Sequence, residues 1–518
     1  YLIAERLRLA PTQKESLAAA ENATKVFNHT DTDVHDEVVS EGTANALFKQ
    51  LCVTFYSVGS KDEDEIHYLT AALEMVFRCS PKCLIASYED FGEGLMQVLI
   101  RIIEKELSDS MRKSDDILEN CSKIMKYFSH VDELTFSIAR HPNLLTVLTQ
   151  ILSQKTTVLS RIEGMHALVG LAMNERNTIL IANIDGLLEQ VIYAVQCKDE
   201  NIQIRKWAAA ILWKLSVAPA NKELMCCDAT LDAIDSCLRV NHCRRTVSYI
   251  FSFIKEIAKL DQNGMPLVCH NNGSILKKII DYSTNNEYSS VVLKSAMLAI
   301  DNMVNAENAQ IACTLCPLLE NEFGLIVLLT NIVMEVDDQE IGDACISALA
   351  EIATALEAGC DEYETILQCL VHSFLCHDDI KFRTMAVLIL EDYAKKEKNR
   401  PFMIECHGLL ESVTQVALQS NGEERLNCLQ ILYQLILCET YHPIIASNQS
   451  TLDLLTVGTS FLLEEGRNIV MDCITVLSLS PGSKDIVAKH EELMMTVLSL
   501  SRNDQKLKNV FKELVSEM

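Results

Sequence analysis

Cysteine and histidine are the residue types whose spacing comes nearest to a reactive site in this sequence. Cys313-Thr-Leu-Cys316 has the C-x2-C spacing of half a tetrahedral zinc site, which needs a second Cys/His pair to close. The nearest upstream pair, Cys269-His270, consists of adjacent residues, and neighbours on a helix point in different directions. Cys79-Ser-Pro-Lys-Cys83, Cys226-Cys227 and Cys376-His377-Asp378 lack a partner motif in the same way. The last is no catalytic triad either, because triad members meet in space from separate segments. Neither a G-x-x-x-x-G-K-[ST] phosphate loop nor an H-E-x-x-H pair occurs. The expectation is a protein with no catalytic residue, no metal and no cofactor.

The chain holds 20 cysteines, and Cys121, Cys345, Cys369, Cys428 and Cys473 fall at apolar helical positions, where a free thiol behaves as a small hydrophobe. That pattern points to a reducing compartment, the cytoplasm or the nucleus, and the N-x-S/T sequons then carry no weight. Lys and Arg number 45 against 72 Asp and Glu, a net charge of −27 that repels a phosphate backbone unless a basic stripe overcomes it. The one Lys/Arg-rich stretch, Lys395 to Arg400, suits a helix C-terminus, so no nucleic acid is expected. The longest apolar run, Gly324 to Val336, is broken by Thr330, Asn331 and Glu335 and is too short for a membrane span. A chain that begins at Tyr1 is expected to be a piece of a longer one.

What positions all these residues is a repeat. Leu187, Leu188, Val191, Ile192 and Val195 make one apolar helical face, Cys197 to Asn201 a polar turn, and Ile204, Ala208, Ile211, Leu212 and Leu215 a second face that ends before Pro219. The same phrase closes on Tyr127, Leu171, Leu215, Ile257, Met303, Ile352, Tyr393, Leu435 and Leu477, in steps of 41 to 49 residues. Before Tyr127 it continues less regularly through Thr70 to Val76 and Ser16 to Phe27, with Glu104 to Asp116 as a candidate long loop. Gly186, Gly273, Gly324 and Gly408 each precede an apolar helix start, where a turn is needed. Pro219, Pro266, Pro401, Pro443 and Pro481 follow the closing positions, where a helix can stop.

The unit Gly186 to Leu224, with a glycine-led helix, a polar turn, an Ala-rich long helix ending Leu-x-x-Leu and an Asn-containing loop, resembles the armadillo repeat. Asn-led loops recur at Asn177, Asn308 and Asn399, and the resemblance runs from about Leu118 to Met495. It implies an all-α fold, a right-handed α-α superhelix of about eleven repeats: divergent armadillo-like repeats over 1–116, continuous with regular ones over 117–518. It also implies a protein-interaction scaffold or adaptor that binds extended or helical protein ligands along a concave groove lined by the long third helices. A transport or chaperone-type receptor of the same fold is the alternative.

Importin-α-like receptors of this family read basic peptides with a Trp and an Asn four residues apart on successive third helices. The matching pairs here are Ser122 and Lys126, His166 and Gly170, Ala210 and Lys214, Ser252 and Glu256, Leu298 and Asn302, Ser347 and Glu351, and Gln430 and Gln434. Only Asn302 fits, which disfavours importin-type cargo recognition, and Trp207 and Trp213 fall off the ladder and read as packing residues. Lys126, His166, Lys214, Glu256, Asn302, Glu351, Glu391 and Gln434 are the groove candidates. Glu256, Glu351 and Glu391 make either an acidic groove for a partner with a basic segment or ordinary solvated surface.

Overall fold

The computed structural model describes residues 18–19, 41–56, 63–79, 81–108, 115–240, 243–284, 290–304, 311–312, 325–336, 338–355, 361–375, 380–461, 463–502 and 505–515. Among them there is no strand. Two compact units divide the chain, Tyr1–Asn263 and Gly264–Met518.

The first unit contains α1 (Glu41–Tyr56), α2 (Glu63–Cys79), α3 (Pro81–Ser108), α4 (Asp116–Ser129), α5 (Asp132–Ala139), α6 (Leu144–Ile151), α7 (Val158–Ala172), α8 (Glu175–Ala182), α9 (Leu187–Gln196), α10 (Ile202–Ser216), α11 (Pro219–Met225), α12 (Asp228–Leu238) and α13 (Arg244–Ala258). The division falls within α14 (Asp261–Cys269). In the second unit follow α15 (Ser274–Thr284), α16 (Ser290–Met303), α17 (Leu325–Glu335), α18 (Gln339–Ala355), α19 (Asp361–Cys369), α20 (Ile380–Lys395), α21 (Arg400–Glu405), α22 (Leu409–Gln419), α23 (Gly422–Ile436), α24 (His442–Ser447), α25 (Gln449–Gly458), α26 (Glu464–Leu479), α27 (Lys484–Ala488), α28 (Glu491–Leu500) and α29 (Gln505–Val515).

Each regular layer has three helices rather than two. A short first helix (α5, α8, α11) precedes the second (α6, α9, α12) and the long third (α7, α10, α13). Like packs on like: α4, α7, α10 and α13 form one row, α6, α9 and α12 a second, and α5, α8 and α11 a third. In the other unit α16, α18, α20, α23, α26 and α29 pack in sequence order as third helices. Every closing position lies in the last turns of a third helix, and all but the half-buried Tyr127 are at most 1% exposed. One layer thus hides its apolar edge only against the next.

Local signals set the helix ends. Thr157 and Asn201 cap α7 and α10 by accepting from the backbone N–H groups of Ser160 and Gln203. Gly186 and Gly408 hold φ of +76° and +83° ahead of α9 and α22, and Asn143 takes the same left-handed turn before α6, a conformation glycine enters most readily. Gly324 and the Asn308 loop lie outside the described residues.

Three expectations are corrected. Pro219, Pro401 and Pro443 open α11, α21 and α24 instead of stopping the preceding helix, because a first-turn proline lacks only an N–H that would have no partner there. Asn177 and Asn221 accordingly sit on helices, not in loops. Glu104 to Ser108 are not loop but the end of the long helix α3, whose apolar face runs on through Ile102 and Ile103.

Candidate functional site

A row of third helices leaves one stripe uncovered, and in the first unit that stripe gathers rings and cations. On α4, Lys126 Nζ donates to Glu163 Oε2 of α7 at 2.8 Å and lies 5.1 Å from the Tyr127 ring centroid. The Tyr127 hydroxyl donates to Glu74 Oε1 at 2.9 Å, and burial, then the Glu74 charge, pushes its pKa well up.

Beyond α4 the rings stack from helix to helix. His130 meets His166 of α7 edge-on at 4.7 Å, and His166 lies flat on Trp207 of α10 at 4.1 Å and 15°. Trp213, on the same helix as Trp207, stacks on Tyr249 of α13 at 5.7 Å and 16°. Lys206 Nζ is 3.9 Å from the Trp207 ring and Lys214 Nζ 4.0 Å from the Trp213 ring, within cation–π range. Both ammoniums have lowered pKa values, with burial as the first cause and, for Lys206, the Arg245 charge as the second. Among the described residues neither meets a carboxylate. Burial, followed by the charges of His130, Lys126 and Lys206, brings His166 down to about 4.

The two tryptophans do pack, but only partly buried and against rings of adjoining layers. Their partners stand 41 and 36 residues away, so periodicity within one helix could not reveal them. The importin-type pattern is sterically closed at two of its positions. A Cβ on Gly170 would come 2.6 Å from Ser129 O, and Ala210 is 2% exposed with no room for an indole.

Lys126 and His166 come together in this stripe, with Lys214 farther along it. Glu256 is surrounded by Lys259 at 2.8 Å, Lys255 at 3.5 Å and Lys222 at 3.8 Å, so its charge is compensated within the chain. The second-unit candidates stand on separate helices. Asn302 Nδ2 donates to Leu298 O of its own helix at 2.8 Å, Glu391 pairs with Lys395 at 2.9 Å, and Gln434 Oε1 accepts from Arg400 at 2.7 Å. Glu351 is half-exposed and, after burial, helps keep the Asp301 carboxyl above its usual range.

Several thiols among the described residues are held protonated by burial. Burial pushes Cys226 and Cys406 up to about 11 and Cys237 to about 12, which keeps them protonated and unreactive at neutral pH. Cys313, Cys316 and the Cys376 to Asp378 run lie outside the described residues, as do the side chains of Cys79 and Cys83. Among the described residues no single helix is long and apolar enough to cross a membrane.

Comparison with known proteins gives fold and nothing finer. No family model and no curated protein matches the sequence. A structure from work on a conserved phosphorylation switch controlling the interaction between cadherin and beta-catenin aligns over 99% of this chain and 99% of its own, at TM-score 0.62 and 14% identity. The crystal structure of Uso1-2 aligns over 97% of this chain and 90% of its own, at TM-score 0.58 and 10% identity. An engineered protein aligns over 89% and 99%, at TM-score 0.52 and 14% identity. The fold is all-α and superhelical, of the armadillo or helical-repeat type.

Proposed function

We propose that this armadillo-type helical-repeat chain is a non-catalytic scaffold, on which an extended or helical segment of a partner protein lies along the third helices α4 to α13. One observation carries the reading: His166 on Trp207 and Trp213 on Tyr249 present partly exposed stacked rings, each indole with an ammonium over it. Rigid aromatics and desolvated cations are the groups that dominate protein interfaces when a partner covers them. In a chain of net charge −27, two lysines that lack a carboxylate among the described residues favour acceptor groups on the partner there.

The reading places the protein in the cytoplasm or nucleus. Support comes from Cys121, Cys345, Cys428 and Cys473, which pack as buried free thiols in the layers' apolar core. The test is capture of partners from native extract by the intact chain, identified by mass spectrometry and then measured by calorimetry. The double change Trp207→Ala, Trp213→Ala is expected to weaken the main partner at least about 10-fold, the loss of one interface hot spot or more, with helicity retained. Unchanged affinity for every captured protein would sink the proposal.

A further inference from the structure

Between the N-terminal halves of α20 and α23 lies an open hollow of about 550 Å³, lined by Ile380, Arg383, Leu388, Ser420, Glu424 and Asn427 among others. Two apolar side chains on it are uncovered, Ile380 at 59% exposure and Leu388 at 46%. Glu424 is the opposite case. Its side chain is only 9% exposed and its one ion pair among the described residues, with Arg383 Nε at 3.7 Å, is too long for a hydrogen bond, so Oε1 has no donor. Ser420 Oγ on the same wall is also buried without a partner. Buried polar atoms are satisfied in the great majority of cases, and a buried carboxylate oxygen without a donor is costly.

A side chain with a long apolar stem and a cationic head answers both features at once. We propose that this hollow receives a lysine or arginine of an extended partner segment, with its stem across Ile380 and Leu388 and its head on the Glu424 carboxylate. The inference rests on the reading that partner segments lie along the third helices, and adds a basic anchor in the second unit. Glu423, exposed on the same wall, and the net charge of the chain favour a cation, and Arg383 is the single opposing charge lining the hollow.

The test is fluorescence anisotropy of a labelled peptide of alternating lysine and alanine against the intact chain at about 150 mM salt, where long-range attraction is largely screened. Glu424→Gln is expected to weaken binding at least about 10-fold, the scale of a lost hydrogen bond to a charged group. Glu423→Gln removes the same formal charge and is expected to cost less than about 3-fold, because exposed ion pairs contribute little. Ile380→Ser, an exposed position that folding tolerates, is expected to weaken the peptide several-fold through the lost stem contact. Equal losses at Glu423 and Glu424, no loss at Glu424, or preference for a glutamate–alanine peptide would each overturn the proposal. Displacement by spermidine as effective as by the peptide would overturn its assignment to a protein segment. Failure here with the tryptophan pair still governing partner capture removes only this anchor, and the converse removes only the first-unit stripe.

Discussion

Asn221 and Asn399 occupy the same place in the repeat, six residues past a closing position, and have opposite surroundings. In the first unit Asn221 Nδ2 donates to Leu215 O of its own layer at 2.9 Å and to Thr178 O of the layer before at 3.1 Å. Asn177 does the same to Leu171 O and Thr135 O, and Asn263 to Ile257 O and Lys222 O, so three buried amides tie successive layers together. In the second unit Asn399 is 0% exposed and neither side-chain atom has a hydrogen-bond partner. Ser483, at the equivalent place after Leu477, donates only within its own layer. Apolar periodicity repeats the layers, and polar satisfaction six residues past the closing position is a separate property that does not repeat with it.

If the apolar half of that comparison is sound, equivalent core truncations should cost the same in both units. Leu215→Ala and Leu435→Ala, each at a fully buried closing position, are expected to lose about 2–5 kcal/mol. Hydrogen exchange should rise mainly in the altered layer and its neighbours, and uniform loosening of the chain would argue against layer-by-layer stacking. A large difference between the two sites, read from denaturant midpoints, would break the comparison at its base.

The polar half predicts a difference of sign. Asn221→Leu leaves two buried carbonyls without their donor and is expected to cost about 1–3 kcal/mol. Asn399→Leu removes a buried amide that has no partner and is expected to be neutral or stabilising. Destabilisation of equal size at both positions would show that Asn399 is satisfied after all. The glycines sharpen the point. Gly170→Ala drives a Cβ to 2.6 Å from Ser129 O, a backbone atom, and is expected to cost about 1–3 kcal/mol. Gly342→Ala in α18 meets nothing within 4 Å and is expected to gain about 0.5–1 kcal/mol, both read as shifts of the thermal midpoint.

How much of this was legible follows from the same distinction. The nine closing residues could be read because an apolar face repeats within each helix, and eight of them lie fully buried. The short first helices were not, since α8 and α11 span 8 and 7 residues and a proline at the start of α11 reads equally as a stop. The asparagine tie was half legible. Asn177, Asn221, Asn263 and Asn399 form a column six residues past the closing positions, but the partners of the first three stand 41 to 43 residues away. Sequence spacing gives the column and not its hydrogen bonds, which is why Asn399 looks like its fellows. Of the candidate stripe, Lys126, His166 and Lys214 were legible as third-helix positions, whereas the stacking of Trp207 and Trp213 and the enclosure of Glu256 by three lysines depend on layers meeting in space. Glu424 gave no signal, because an acidic residue in the first turn of a helix is also what a solvated helix start requires.

The smallest effect tests the ring stack itself. His166 lies between His130 and Trp207 with Lys126 and Lys206 nearby, and it takes its proton only at about 4 when folded, against about 6.5 for a free side chain. Below about 6.5 the unfolded chain binds a proton that the folded chain refuses, so the contribution of this residue is complete above that pH and erodes as pH falls toward 4. Because the ring is half-exposed, screening limits the loss to about 1 kcal/mol or less. His166→Gln cannot titrate, and its stability measured by urea unfolding should therefore fall less than that of the parent chain between pH 6.5 and pH 4. Gln at this position loses the stacking on Trp207 at every pH, which lowers both ends of its profile equally and leaves the slope as the readout. Parallel profiles for the two proteins would mean that the ring protonates freely in the folded state, and that the first unit's stripe is wetter and looser than its stacked geometry implies.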